Sequence, residues 1–134
     1  MERWRVMLKI ESFEPGLIDV PDMKFVPKKW GYELWIVNNE KYCGKILFVK
    51  AGQSFSMHMH KIKDEVLYCS EGECEFRYSL TGEPALRCLL LNKGKAFHVT
   101  PGLWHQLTAI TDTTIIEFST QHFDEDSYKE EPNE

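Results

Sequence analysis

The sequence has no apolar run near the roughly 20 residues that a membrane-spanning helix requires, which excludes a helical membrane span as its organising feature. It also lacks a surplus of basic residues. Its net charge is −5, and affinity for nucleic acid depends on Lys and Arg clustered against phosphates, so small molecules are the expected partners. Met1-Glu2-Arg3-Trp4-Arg5 carries positive charge but is not followed by the apolar stretch of a secretory signal, and a cytoplasmic location is expected. No C-x-x-C pair occurs among Cys43, Cys69, Cys74 and Cys88. All four fall in strand-like segments, which reads for most of them as free thiols packed as small hydrophobes in a reducing compartment.

There is little room for helix either. From Glu33 to Phe118, short β-branched or aromatic runs alternate with Gly, Asn, Pro and Asp, the spacing of all-β sandwiches and barrels. The strands expected are Glu33–Val37, Tyr42–Lys50, Ser54–His60, Glu65–Ser70, Glu73–Ser79, Leu86–Asn92, Ala96–Val99, Trp104–Ala109 and Thr114–Ser119. A chain of 134 residues, 43% of them hydrophobic, suits one core. The division expected is an N-terminal arm over 1–32 with a possible extra strand at Trp4–Ile10, a β-barrel over 33–119, and an acidic tail over 120–134 whose order fades by Glu130.

In a strand over Ser54–His60, period-two alternation sets Ser54, Ser56, His58 and His60 on one face and Phe55, Met57 and Met59 on the other. The two histidines then stand about 7 Å apart along the strand and lean toward one point, as two ligands of one ion would. Glu65 opens the next strand on the face of Leu67 and Cys69, from which its carboxylate can meet the imidazoles as a third ligand. His105 follows the Thr100-Pro101-Gly102 turn, and a closed barrel can bring it beside them. Three imidazoles and a carboxylate suit one divalent transition metal, Zn, Mn, Fe, Ni, Co or Cu, rather than Mg or Ca. The apolar Phe55, Met57 and Met59 face predicts a homodimer that covers it.

The spacing Gly52-x5-His58-x-His60-x4-Glu65-x6-Gly72, with Gly94-x7-Gly102-x2-His105, resembles the two signature motifs of the cupin superfamily. The resemblance spans Glu33 to Phe118 and implies an all-β, single small cupin (jelly-roll) β-barrel in which His58, His60, Glu65 and His105 correspond to the metal ligands. Pro101 and Ala109 depart from the second motif, and neither is a ligand position.

Within that superfamily, three stretches resemble the cupin domain of type II mannose-6-phosphate isomerases: Lys29-Trp30-Gly31-Tyr32-Glu33, Gln53-Ser54-Phe55-Ser56-Met57-His58, and the segment from Phe118 to Lys129. His58-x-His60-x2-Lys63-x-Glu65 is similar to lyxose-isomerase-like cupins. Both imply aldose–ketose isomerisation of a sugar or sugar phosphate, with a metal polarising the carbonyl and a base moving a proton. Lys63, Glu73 and His122 are the candidate bases, with Lys63 placed first. Lys45, Arg77 and Arg87 are the cations available to a phosphate, although strand Lys and Arg usually face solvent. Trp30, Tyr32, Trp35 and Trp104 are the aromatics available to a sugar face, with Trp104 favoured for its nearness to His105. Two alternatives stand beside the isomerase: a metal-dependent dioxygenase, and a non-catalytic sugar-binding or regulatory protein.

Overall fold

Period-two burial runs through most of the chain and shapes the fold. The computed structural model describes residues 15–80 and 85–129. Among them are strands β1 (Lys24–Lys28), β2 (Gly31–Asn38), β3 (Cys43–Val49), β4 (His58–Met59), β5 (Glu65–Glu71), β6 (Glu73–Ser79), β7 (Arg87–Asn92), β8 (Ala96–Val99), β9 (Trp104–Ala109), β10 (Thr113–Ser119) and β11 (Tyr128–Lys129). Single 3-10 turns occupy Val20–Asp22 and Asp124–Asp126. The possible strand at Trp4–Ile10 lies outside the described residues.

The strands form two antiparallel sheets, ordered β1-β2-β3-β10-β5-β8 and β11-β4-β9-β6-β7. The expected jelly-roll β-barrel is corrected here: the two sheets stay open and face one another. β1 and β8 edge the first sheet, β11 and β7 edge the second, and no ladder among the described residues joins one sheet to the other. Closure needs continuous backbone pairing around the ring, whereas here only side chains cross the gap, as in a sandwich.

The alternation in β3, β5, β9 and β10 sends every second residue into that gap. Leu47, Val49, Leu67, Cys69, Phe76, Leu91, Leu107 and Ile115 fill one part of it as the apolar core. The same parity carries Lys45, Glu65, His105 and Glu117 inward as well, and all four are buried. Opposed pairing sets Glu117 against Lys45 and Ile115 against Leu47, so the charged positions gather in one part of the gap and the apolar ones in another.

Two expectations about local structure change. Within the segment read as an arm, Lys24–Lys28 forms β1 and pairs with β2. Its alternation, with Lys24, Val26 and Lys28 on one side and Phe25 and Pro27 on the other, was the readable signal. The strand expected over Ser54–His60 shrinks to β4, preceded by an isolated bridge from Ser54 to Thr108. Burial still alternates over residues 54–58, but Phe55 and Met57 are the buried ones, so they are packed inside rather than displayed. Phe55 packs edge-on against His58, with ring centroids 5.3 Å apart, and this removes the apolar face on which the expected homodimer rested.

Gly72 turns β5 into β6 with φ +86°, and a Cβ there would overlap the Asp112 carbonyl. Gly94 has a similar φ of +91° with open space around it. Gly72→Ala is therefore expected to cost about 3 kcal/mol and Gly94→Ala about 1 kcal/mol, measured by urea denaturation. Equal losses would refute the steric argument.

Candidate metal centre

β4 and β9 pair His58 directly with His105, and His60 follows two residues on, so three imidazoles meet. One ring nitrogen from each lies within 4.8 Å of the others. The backbone sets their tautomers: Nδ1 of His58 donates to the Ser56 carbonyl at 2.8 Å, Nδ1 of His60 to Asp126 at 3.1 Å, and Nδ1 of His105 to Leu103 at 3.0 Å. With the proton on Nδ1, Nε2 presents a lone pair. Burial, with neighbouring positive charge from His105 for His58 and from Lys63 for His60, lowers both pKa values to about 3, and burial lowers His105 to about 4. All three rings are thus neutral donors at physiological pH.

Glu65, first residue of β5, closes the cluster. Its Oε2 lies 3.6 Å from His60 Nε2 and 3.5 Å from His105 Nε2. That oxygen is buried and has no hydrogen-bond partner. A carboxylate oxygen facing two imidazole lone pairs is repulsive unless a cation stands between them, which fits a metal. The three histidines form a buried cluster able to coordinate a divalent transition metal.

Beside this cluster lies a chain of ionisable groups. Lys63 Nζ donates to Glu117 Oε2 at 2.9 Å and to His122 Nδ1 at 3.2 Å, and it stands 3.6 Å from Glu65 Oε1. Burial disfavours the charge on Lys63, but Glu117 and Glu65 outweigh it and hold the amine as an ammonium. Burial likewise opposes the charge on Glu117, yet Lys63 and Lys45 keep it ionised. Glu65 moves the other way, pushed well above the usual carboxylate range by burial and by the Glu117 charge. His122 Nε2 donates to Asp124 Oδ1 at 3.1 Å, and its pKa is lowered by burial and by Lys45 and Lys63.

A cavity of about 400 Å³ opens over these residues, lined among others by Trp30, Trp35, Lys45, His58, His60, Lys63, Glu117 and His122. The structure thus brings together His58, His60, Glu65, His105, Lys63 and His122. It does not bring Glu73, which begins β6, whose far end carries Tyr78 opposite His105, about 17 Å away along the strand. Trp104 does not line the cavity either, because as the neighbour of His105 in a strand it points to the other face. Arg77 is exposed and paired with Glu75 at 2.8 Å. Lys45, read as a solvent-facing strand lysine, is 2% exposed inside the gap.

Glu117 and Asp126 escaped the sequence reading. Glu117 could have been found, since it shares strand parity with the core residue Ile115. Asp126 gave no signal: its carboxylate accepts the backbone N–H groups of Lys61, Ile62 and Lys63 at 2.9 to 3.2 Å, and its carbonyl orients His60. It fixes the loop between His60 and Glu65 from 63 to 65 residues downstream.

No protein-family model matches the sequence, and no curated protein matches it. Solved structures do. Capsular polysaccharide assembling protein CapF from Staphylococcus aureus matches with a TM-score of 0.73 and 17% identity over 82% of this chain and 33% of that one. Oxalate decarboxylase from Bacillus subtilis matches with a TM-score of 0.72 and 15% identity, over 93% of this chain and 35% of that one. The chain spans about a third of the length of these structures. At these identities the likeness is one of fold.

Burial opposes the Asp126 charge, but hydrogen bonds from Lys63, Ile62 and Lys61 win and depress its pKa. A depressed carboxyl contributes stability above its unfolded pKa of about 3.9, lost as pH falls through the lower folded value. Asp126→Asn is expected to lower stability at neutral pH by about 2 kcal/mol and to flatten the acid limb of a stability-versus-pH profile. An unchanged acid limb would sink the assignment.

Proposed function

We propose that this chain is a metal-dependent enzyme that binds one divalent transition metal through His58, His60, Glu65 and His105 and isomerises a sugar or sugar phosphate between aldose and ketose. The observation that carries the metal is the unsatisfied Glu65 oxygen set against imidazole lone pairs. In support, one solved structure of similar fold is described by the Mn(II) centres of Bacillus subtilis oxalate decarboxylase. When bound, the ion would supply Lewis acidity toward substrate oxygens.

The chain's own residues support a division of labour. Lys63 is held protonated by Glu117, so it suits stabilising a developing oxyanion rather than taking a proton. His122 lines the cavity as a neutral imidazole whose Nε2 donates to Asp124 and whose Nδ1 accepts from Lys63, and we assign it the proton transfer, at Nδ1 once substrate displaces the lysine bond. Trp30, packed edge-on to Phe55, is the ring placed to meet a sugar face. Cys43, Cys69 and Cys74 are buried free thiols and Cys88 is an exposed one, against the expectation of packing, and free thiols accord with a reducing, cytoplasmic setting.

The homodimer belongs on a different surface from the one first expected. Phe25, Tyr32 and Phe48 stack across β1, β2 and β3 with centroids 5.2 and 5.3 Å apart, on the face away from the gap. Exposed Phe118 extends this face on β10, and a second copy covering it is part of the proposal.

His58→Ala and His105→Ala are expected to abolish metal retention on elemental analysis, and Glu65→Gln to weaken it by about tenfold or more. Because burial and the Glu117 charge raise the Glu65 pKa, metal binding should release protons and strengthen as pH rises, seen by calorimetry in buffers of different ionisation enthalpy. Full metal content in the histidine variants would defeat the site. Turnover of aldoses or their phosphates should continue without oxygen. Activity that stops anaerobically identifies a dioxygenase, and sugar binding without turnover identifies a binding protein.

A further inference from the structure

The charge lining the cavity runs against that of the chain. Lys24, Lys28, Lys45, Lys63 and Lys129 line it with only Glu33, Glu117 and Asp124 as acids, in a protein of net charge −5. These lysines differ in how they are satisfied. Lys63 hydrogen-bonds to Glu117 and His122. Lys45 is 2% exposed, and its Nζ makes no hydrogen bond among the described residues. Its nearest carboxylate, Glu33 Oε1, is 3.8 Å away and already accepts the Trp35 Nε1 hydrogen bond at 2.7 Å. What Lys45 does touch is the Trp35 ring, at 3.7 Å from the centroid.

Strand register explains the arrangement. Lys24 pairs with Trp35, Trp35 with Lys45, and Lys45 with Glu117, forming one row across β1, β2, β3 and β10. Lys24 Nζ lies 4.4 Å over the same Trp35 ring, at the exposed end of the row, and among the described residues no ion pair holds it. A ring quadrupole returns only part of the hydration that a buried ammonium gives up. An amine that deep, aimed into an open cavity without a hydrogen bond, therefore lacks an acceptor.

We infer that Lys45, with Lys24 at the entrance and Trp35 holding both, forms a subsite for a compact anionic group, a carboxylate or a phosphate, on the molecule that enters this cavity. This deepens the proposed function and rests on the same cavity being the substrate site. Lys45 donates to the anion's oxygens, and Lys24 draws it in through the longer-range field.

The test is calorimetric titration of the full-length protein, metal-free and metal-loaded, with inorganic phosphate and with malonate. Metal-free protein is expected to bind at least one of them, and the better anion tells a phosphate substrate from a carboxylate one. Lys45→Met should weaken binding by roughly tenfold and Lys24→Gln by roughly threefold, while Lys45→Arg retains it and all three keep wild-type metal content. Should Lys45→Met fail to fold, exposed Lys24→Gln and conservative Lys45→Arg still decide the matter. The subsite is overturned if metal-free protein binds neither anion, or if the folded lysine variants bind as the wild type does. Binding that requires metal and ignores both lysines places the anion on the ion, which overturns the subsite and leaves the metal reading standing. Anion binding in a protein that takes up no metal does the reverse.

Discussion

A carboxylate oxygen buried against two imidazole lone pairs is the constraint on which the rest of the structure depends. Glu65 Oε2 has no donor, and the backbone carbonyls of Ser56, Asp126 and Leu103 hold the histidine protons on the far side of their rings. Rotating a ring to supply a donor would break one of those hydrogen bonds. The groups therefore repel one another until a positive charge enters, and a raised Glu65 pKa is how the metal-free protein relieves part of that repulsion. The same arrangement ties metal affinity to protonation.

Keeping this cluster assembled requires charges between the sheets, where their desolvation is costly. Lys63, Glu117 and Lys45 answer one another there, and Ser119 adds a hydrogen bond to Glu117 at 2.9 Å. The sandwich makes this tolerable by gathering the charged inner positions of β3, β5, β9 and β10 beside an open cavity and leaving the apolar ones to fill the core. The end of the described chain completes the assembly: the turn at Asp124–Asp126 lies against the His60 loop, and β11 pairs with β4. Openness of the sheets matters to function as well. Because β1 and β2 extend one sheet beyond its partner's pairing, Lys24 and Trp35 can line a cavity instead of closing a ring.

Legibility varied with how local each cause was. Glu65, Leu67 and Cys69 share one face of β5 because parity in a seven-residue strand is a short-range property. His58 and His60 converge even though the strand expected around them is two residues long, since their geometry comes from pairing with β9 and from the bond between His60 and Asp126. Phe55 shows the limit of the same reasoning. Alternation set it on an apolar face, and only the tertiary structure decided that this face packs into the core rather than against a second copy. Lys45 was misjudged for a related reason: its residue type favours solvent, and only the partners Glu117 and Trp35, brought by register, make an inward position affordable.

The sequence by itself determined the all-β class, the turn glycines at Gly72 and Gly94, and the spacing that sets two histidines and a glutamate within a few residues of one another. Each of these depends on backbone conformation or strand parity, which act over a handful of residues. Tertiary structure alone decided that the sheets stay open, that Glu73 and Trp104 lie away from the cavity, that Glu117 lines it, and that Asp126 holds the loop after His60. It also decided the protonation of Lys63, on which its chemistry turns. Those outcomes depend on which strands become neighbours and which charges are buried together, and no local pattern carries that information.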